Sequence, residues 1–380
     1  MRAAVIGTGF IGPVHVEGLR RAGVEVVGIL GSNPAKSLAA AQRLRIARAY
    51  ATIDELLVDL DVDCVHITSP NQAHFEQTKL CLKAGKHVLC EKPLSMNSTE
   101  SRELVELAEK CGRAAGVNYN IRYYPLCIEA AERRKAGQLG TIHHVAGSYT
   151  QDWLLLQTDF NWRVLSSESG PLRAVADIGT HWLDLIQAVT GLEIESVCAD
   201  LKTVFESRLR PIGTTETFSS KTAGVRPSEP VAIDTEDYGA VLIRFKGGAR
   251  GVMWVSQVNA GKKNSLRWEI AASEQAMNWD SESPNQLWIG QREKANEMLT
   301  RDPALMLPRA AQFANYPGGH NEGFPDTFKQ LFVDFYGAIE SGAYLSEPLY
   351  PTFADGHREI LLCEAIFRSA QERRWVNVGE

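Results

Sequence analysis

The chain is 380 residues long, 44% hydrophobic and 23% charged, with a formal net charge of −6 at neutral pH. That length exceeds one ordinary core and calls for two domains, and the composition is that of a globular protein in water. The acidic balance without a basic run argues against nucleic acid, no apolar stretch is long enough to span a bilayer, and an N-terminus that enters a strand directly reads as cytoplasmic.

Residues 3–6 read as a strand, and Gly7-Thr8-Gly9-Phe10-Ile11-Gly12 follows before a helical stretch that stops near Gly23. This is the context in which a GxGxxG segment binds a dinucleotide. Gly7 allows the tight turn, Gly9 lets the backbone approach a pyrophosphate, and Gly12 permits close helix–strand packing. The helix start at Phe10 and Ile11 offers backbone N–H groups to the phosphates. A strand over 24–30 leads through Gly31-Ser32-Asn33 to a helix that Asn33 caps and Pro34 opens. Thr52 and Glu55 have capping-box spacing for a short helix carrying Leu56 and Leu57.

The alternation continues with a strand over 64–68, a helix over 73–84 stopped by Gly85, a strand over 87–90, a helix from Asn97 to Gly112 and a strand over 114–118. Strands regularly separated by helices predict a parallel sheet with right-handed crossovers. Directly after the strand at 87–90 stands Glu91-Lys92-Pro93. The carboxyl ends of such strands face the ligand crevice, and a lysine placed there needs a reason to lose its water. Pro93 fixes the turn and keeps Lys92 at the strand end.

After Pro125 the grammar changes. A helix through Ala136, a strand over 142–149 and a segment carrying Trp153 and Trp162 precede a helix over about 177–189 that ends at Gly191. Strands at 238–245 and 249–257 flank the hairpin signal Lys246-Gly247-Gly248, and 266–271, 276–279 and 286–289 continue an antiparallel run. The expected fold is α/β followed by α+β. A dinucleotide-binding Rossmann domain spans 1–122, and a domain with a large open, mostly antiparallel sheet spans 123–380 and serves substrate binding and oligomerisation. Between 204 and 235 the chain is rich in Pro, Ser, Thr and charge, and reads as a long excursion that covers the site or grips a neighbouring subunit.

Asp177 and His181 lie four apart, so on an α-helix they share one face. Histidine suits proton transfer near neutrality, and a carboxylate one turn away can orient it or the substrate. No third ligand stands at helical spacing except Asp184, which reads equally as a solvated charge. The seven cysteines show no metal-ligand spacing, so no metal is expected. A nucleotide fingerprint, a strand-end lysine and this pair together fit hydride transfer from an alcohol. His181 is then the general base, Lys92 the cation that stabilises the developing alkoxide, and Asp177 the positioning carboxylate; the roles of Lys92 and His181 could be exchanged.

In order and spacing these residues resemble the Gfo/Idh/MocA family of oxidoreductases over nearly the whole chain: Glu91-Lys92-Pro93, Asp177-Ile178-Gly179-Thr180-His181, Ser69-Pro70-Asn71 with His74, and Asn120, Arg122 and Pro125. The resemblance implies a Rossmann domain, a predominantly antiparallel C-terminal sheet that joins a dimer or tetramer, and NAD(P)-dependent oxidation of sugars, glycosides or cyclic polyols. It implies that the loop at Ser69, Pro70, Asn71 and His74, together with Glu91, Lys92 and Asn120, borders the coenzyme, and that Arg122 and Tyr123 approach the substrate. Two departures stand out. Ser169-Gly170-Pro171-Leu172-Arg173 replaces the usual glycine-rich lead-in to the aspartate, and Gly31-Ser32-Asn33 offers no carboxylate to the ribose. With no arginine after that strand, NAD is favoured over NADP. Ser32 and Asn33 are the expected ribose neighbours.

Trp153, Trp162 and Arg163, with Gln151, Asp152 and Asn161, supply flat apolar faces and paired hydrogen-bonding groups of the kind a sugar ring needs. The same tryptophans would also anchor a domain-interface loop. His320, in Pro317-Gly318-Gly319-His320, is a further candidate on a loop that could close, or simply a residue of a capped turn. The favoured function is a sugar or polyol dehydrogenase. One alternative is a glycosidase working by transient oxidation, elimination, hydration and re-reduction; another is a non-catalytic nicotinamide-binding sensor.

Overall fold

The computed structural model describes residues 1–212 and 227–380, and the chain divides into two compact units. In the first unit six strands, β1 (Arg2–Ile6), β2 (Glu25–Leu30), β3 (Arg48–Tyr50), β4 (Cys64–Ile67), β5 (His87–Cys90) and β6 (Ala115–Val117), form one parallel sheet in the order β3-β2-β1-β4-β5-β6. The crossovers carry α1 (Ile11–Arg21), α2 (Pro34–Leu44), α3 (Ile53–Val58), α4 (His74–Lys83) and α5 (Ser98–Cys111). β1, β4 and β5 are buried along nearly their whole length because a parallel sheet is covered on both faces. The caps expected at Asn33, Thr52 and Asn97 are formed, each side chain accepting the backbone N–H three residues on. β3 escaped the sequence reading, since its three residues are too few to show a period.

In the second unit, α6 (Pro125–Lys135) and β7 (Ile142–Thr150) are followed by a π-helical turn, Val175–Gly179, which runs straight into α7 (Thr180–Thr190). The strands β8 (Ile194–Lys202), β9 (Ser207–Pro211), β10 (Ser228–Ala232), β11 (Tyr238–Phe245), β12 (Arg250–Ser256), β13 (Ser265–Ala272), β14 (Ala276–Asp280), β15 (Gln286–Gly290), β16 (Glu297–Thr300) and β17 (Val376–Asn377) complete it. Eight of them and β7 form a nine-stranded open sheet, β16-β15-β14-β13-β7-β12-β11-β8-β17, antiparallel except where β12 runs parallel to β7. One face buries Trp182, Trp268, Trp279, Leu183 and Ile186. The segment expected as an excursion at 204–235 is in part an antiparallel ribbon of β9 and β10; its middle lies outside the described residues.

Two helices late in the chain, α8 (Phe324–Ser341) and α9 (Phe353–Glu372), were not among the expected elements. Residues 325–360 cluster with 1–120 in the first unit, so a linear division at 122/123 parts the first sheet from a helix that covers it. The physical cause is the apolar stripe of α8: Phe328, Leu331, Phe332 and Phe335 are buried, each worth roughly 1.5–3 kcal/mol. Thr352 also makes a bridge to Gly116 on β6. No helix among the described residues is long and apolar enough to cross a membrane.

Candidate active site

The first unit gathers its candidate residues on the loops at the carboxyl ends of its strands. The strand order turns between β1 and β4, and the glycine turn leaves β1 at that point. Gly7 has φ +117°, and a Cβ there would lie 2.4 Å from Thr68 Oγ1; a Cβ on Gly12 would lie 2.2 Å from the Gly7 carbonyl oxygen. Both positions therefore demand glycine. A Cβ on Gly9 meets nothing within 4 Å among the described residues, so its backbone can be approached closely, as a pyrophosphate requires. Phe10 and Ile11 begin α1, whose first-turn N–H groups supply the anion-binding end. The residues present thus fit a dinucleotide. After β2, Ser32 and Asn33 are exposed, and the Asn33 Oδ1 is already occupied by the Lys36 N–H at 2.9 Å.

Ser69, Pro70 and Asn71 form the loop after β4. His74 ties it to the loop after β5, with Nδ1 2.6 Å from the Pro93 carbonyl oxygen and Nε2 2.9 Å from that of Ser69. Burial holds the His74 imidazole below its ordinary pKa. Glu91 is buried while Lys92 is half-buried. Burial pulls the Glu91 carboxyl upward, but hydrogen bonds from His15 and Asn118 and the charge of Lys92 outweigh it, and it stays below the ordinary carboxylate value. Asn120 is buried and donates to Thr327 Oγ1 on α8 at 2.7 Å.

In the second unit, Arg122 forms a bidentate pair with Asp184, Nε to Oδ2 at 2.7 Å. Asp184 is buried, which corrects its reading as a solvated charge. Tyr123 is also buried, edge-on to Phe313. Trp153 Nε1 donates to Gln151 Oε1 (2.7 Å), Gln151 and Tyr149 both donate to Asn264 Oδ1 (2.8 and 2.7 Å), and the Tyr149 ring lies 6.3 Å from that of His181. Burial raises the Tyr149 phenol, which stays a donor. The Arg163 guanidinium stacks on Trp162 at 4.5 Å and reaches to 3.8 Å from Asp177. His320 is different: it is exposed, on a loop whose carbonyls at Tyr316, Pro317 and His320 accept from the buried Arg301.

Asp177 and His181 do not share one regular α-helix as expected: Asp177 belongs to the π-helical turn and His181 to α7. A π-turn commonly marks a functional position. Asp177 is held by a residue the sequence did not flag. Gln257 Nε2 donates to Asp177 Oδ2 (2.9 Å), and Gln257 Oε1 accepts from Arg173 Nη1 (3.1 Å). Arg173 pairs with Asp237, as does Arg208 at 2.7 Å, all fully buried. Burial pushes Asp237 upward, but the two guanidiniums prevail and hold it below the ordinary value. Neighbouring Glu236 accepts the backbone N–H groups of Arg173 and Val175, yet burial raises it to about 7. The unusual lead-in at 169–173 is where this buried arginine enters.

A parallel sheet with a glycine turn at its switch point, joined in one chain to a large open sheet bearing an Asp/His turn, defines a two-domain dinucleotide-dependent oxidoreductase. Residues 1–119 match the family model for an oxidoreductase family with an NAD-binding Rossmann fold, and residues 128–278 match the GFO/IDH/MocA C-terminal domain. The chain belongs to the Gfo/Idh/MocA family and is an NAD-binding oxidoreductase. It is 28% identical to a levoglucosan dehydrogenase of Pseudarthrobacter phenanthrenivorans over 93% of this chain and 89% of the relative. It is 26% identical to a myo-inositol 2-dehydrogenase of Thermotoga maritima over 100% and 99%. The structure of a levoglucosan dehydrogenase in complex with NADH and levoglucosan superimposes with a TM-score of 0.88 at 26% identity, covering 100% of this chain and 99% of that one.

Proposed function

We propose that this protein is a cytoplasmic NAD-dependent dehydrogenase that oxidises a ring hydroxyl of a sugar, glycoside or cyclic polyol. The observation that carries this reading is the likeness over the full chain to an enzyme whose complex holds both NADH and levoglucosan. When bound, NAD supplies the hydride acceptor. His181 takes the hydroxyl proton, the Lys92 ammonium hydrogen-bonds to the oxygen as it becomes an alkoxide, and Asp177 orients the imidazole or the hydroxyl. Gly7, Gly9, Phe10, Ile11 and Gly12 hold the pyrophosphate. Ser32 and Asn33 border the ribose, and the loops at Ser69, Pro70, Asn71, His74, Glu91 and Asn120 border the nicotinamide side. Trp153 and Trp162 stack on the sugar ring, with Arg122, Tyr123, Arg163 and His320 as further substrate contacts. Coenzyme binding falls to the first unit, which includes 1–120 and 325–360, and substrate binding and assembly to the second, which begins at Ile121. NAD is preferred to NADP because no arginine or lysine follows β2 before Lys36.

The exposed face of the large sheet supports a dimer or tetramer. Leu242, Val252 and Trp254 are 50%, 40% and 38% exposed, and the register pairs Leu242 with Val252 and Ala240 with Trp254, so they share one patch. Leu242→Glu should yield monomers by light scattering. The function is tested by offering sugars, inositols and aryl glycosides with NAD or NADP, following reduced nicotinamide and released aglycone together. NADH accumulation is the expected result; aglycone release without it would replace the dehydrogenase by an oxidoreductive glycosidase. Exchanging His181 for Asn should lower turnover by about 10²–10⁴-fold and flatten the acidic limb of the pH profile.

A further inference from the structure

Three buried polar groups of the first unit take no part in the proposed chemistry: His15 on α1, His66 on β4 and Tyr336 on α8. They are linked end to end. His15 Nε2 lies 3.0 Å from Glu91 Oε1, His15 Nδ1 lies 2.9 Å from His66 Nδ1, and His66 Nε2 lies 2.9 Å from the Tyr336 hydroxyl. Asn118 Nδ2 donates to the same Glu91 Oε1 at 2.5 Å, and the second oxygen, Oε2, accepts the backbone N–H of Lys92 at 3.1 Å. Phe328 and Phe332 close around the imidazoles, with the His66 and Phe332 ring centroids 4.8 Å apart.

The chemistry of the contacts gives this chain a direction. Two Nδ1 atoms in contact need one donor and one acceptor, and a carboxylate can only accept. If Glu91 is ionised, His15 donates through Nε2 and, as a neutral ring, accepts at Nδ1. His66 then donates through Nδ1 and accepts at Nε2 from the Tyr336 hydroxyl. Burial depresses the His66 pKa strongly, in keeping with a neutral ring. All these links are made with neutral imidazoles and one anion.

We propose that His15 and His66 are positioning residues for the Lys92 loop: with Tyr336 they form a one-way hydrogen-bond chain that aims the Glu91 carboxylate at the Lys92 backbone N–H and so fixes where the lysine side chain departs. The inference rests on the catalytic reading of Lys92. Both Glu91 oxygens are engaged, so Glu91 is a clamp rather than a proton carrier. The partner at the far end lies on a helix more than two hundred residues later in the sequence.

The test joins spectroscopy to kinetics on the full-length protein with NAD and whichever of levoglucosan, myo-inositol and methyl glucoside it turns over fastest. Nitrogen-15 spectra of labelled histidine should show His15 carrying its proton on Nε2 and His66 on Nδ1 at neutral pH. The opposite tautomers overturn the chain. His15→Leu should lower kcat by about 10²-fold, the scale of a displacement near 1 Å, with the Kd for NAD changed less than about threefold. His15→Gln, which keeps an N–H donor, should recover most of that loss. Tyr336→Phe should perturb the His66 signals and lower kcat less; it also serves if His15→Leu does not fold. A lower melting temperature with unchanged kcat reduces the residues to packing and overturns the proposal. Lys92→Ala separates the two layers. If it is silent, the reading of Lys92 fails and the proposal with it; if it abolishes turnover while His15→Leu does not alter kcat, only the positioning role fails.

Discussion

Each unit backs its proposed catalytic group with a buried polar network, and the two are built on opposite principles. Behind Lys92 stands a chain of neutral rings that terminates in one carboxylate. Behind Asp177 stands an ionic cluster, in which Arg173 and Arg208 bracket Asp237 and reach Asp177 through Gln257. A neutral chain specifies direction, because each donor has one acceptor, and losing a link costs about 1 kcal/mol. An ionic cluster specifies charge balance, and losing one ion strands its partner in a low-dielectric interior.

The largest effect should fall outside both networks. Lys92→Ala should reduce turnover by about 10⁴-fold, about 5.5 kcal/mol of barrier, while leaving NAD affinity and the melting temperature near wild type; steady-state kinetics beside calorimetry checks it. Next comes the ionic cluster. Arg173→Met should destabilise by about 3–5 kcal/mol in urea unfolding; it leaves the Arg208–Asp237 pair intact, so adding Asp237→Leu should cost still more by stranding the buried Arg208 guanidinium, and replacing all three, with Arg208→Met, should recover part of the loss. If the triple variant is less stable than the double, the charge-balance account is wrong.

Glu236 gives a pH test of the same region. Its folded value is raised to about 7 from an ordinary 4.5. A raised carboxyl favours the protonated folded form, so its contribution is whole below about pH 4.5 and is lost as the pH climbs through about 7, some 3 kcal/mol in all. Glu236→Gln should therefore stabilise the protein at pH 8 relative to wild type and do so much less at pH 5, as read by thermal melts. The smallest effect belongs to the neutral chain: Tyr336→Phe should lower stability by only about 1 kcal/mol.

The sequence made legible whatever is local. The glycine turn, the caps at Asn33, Thr52 and Asn97, and the strand-end position of Lys92 depend on neighbours a few residues away, and a period or a cap reports them. His15 carried a faint signal, a polar residue on the buried face of α1 beside Val16 and Leu19. Nothing local says that its partners are Glu91 and His66. Arg173 and Asp237 lie 64 residues apart and Gln257 lies 80 from Asp177, so their pairing exists only after the sheet has formed. The π-turn was misread as α-helix because four-residue spacing looks the same in both until backbone bonds are seen.

The return of 325–360 to the first unit bears on the order of biosynthesis. A nascent chain that has emerged only as far as residue 120 holds all six strands but lacks the helix whose Tyr336, Phe328 and Phe332 enclose His15 and His66. Until nearly the whole protein has left the ribosome, those imidazoles face water and the Rossmann core stays open along that side. A fragment cut at residue 122 should thus be poorly soluble, whereas a permutant that places 325–360 ahead of residue 1 should yield a coenzyme domain able to stand by itself.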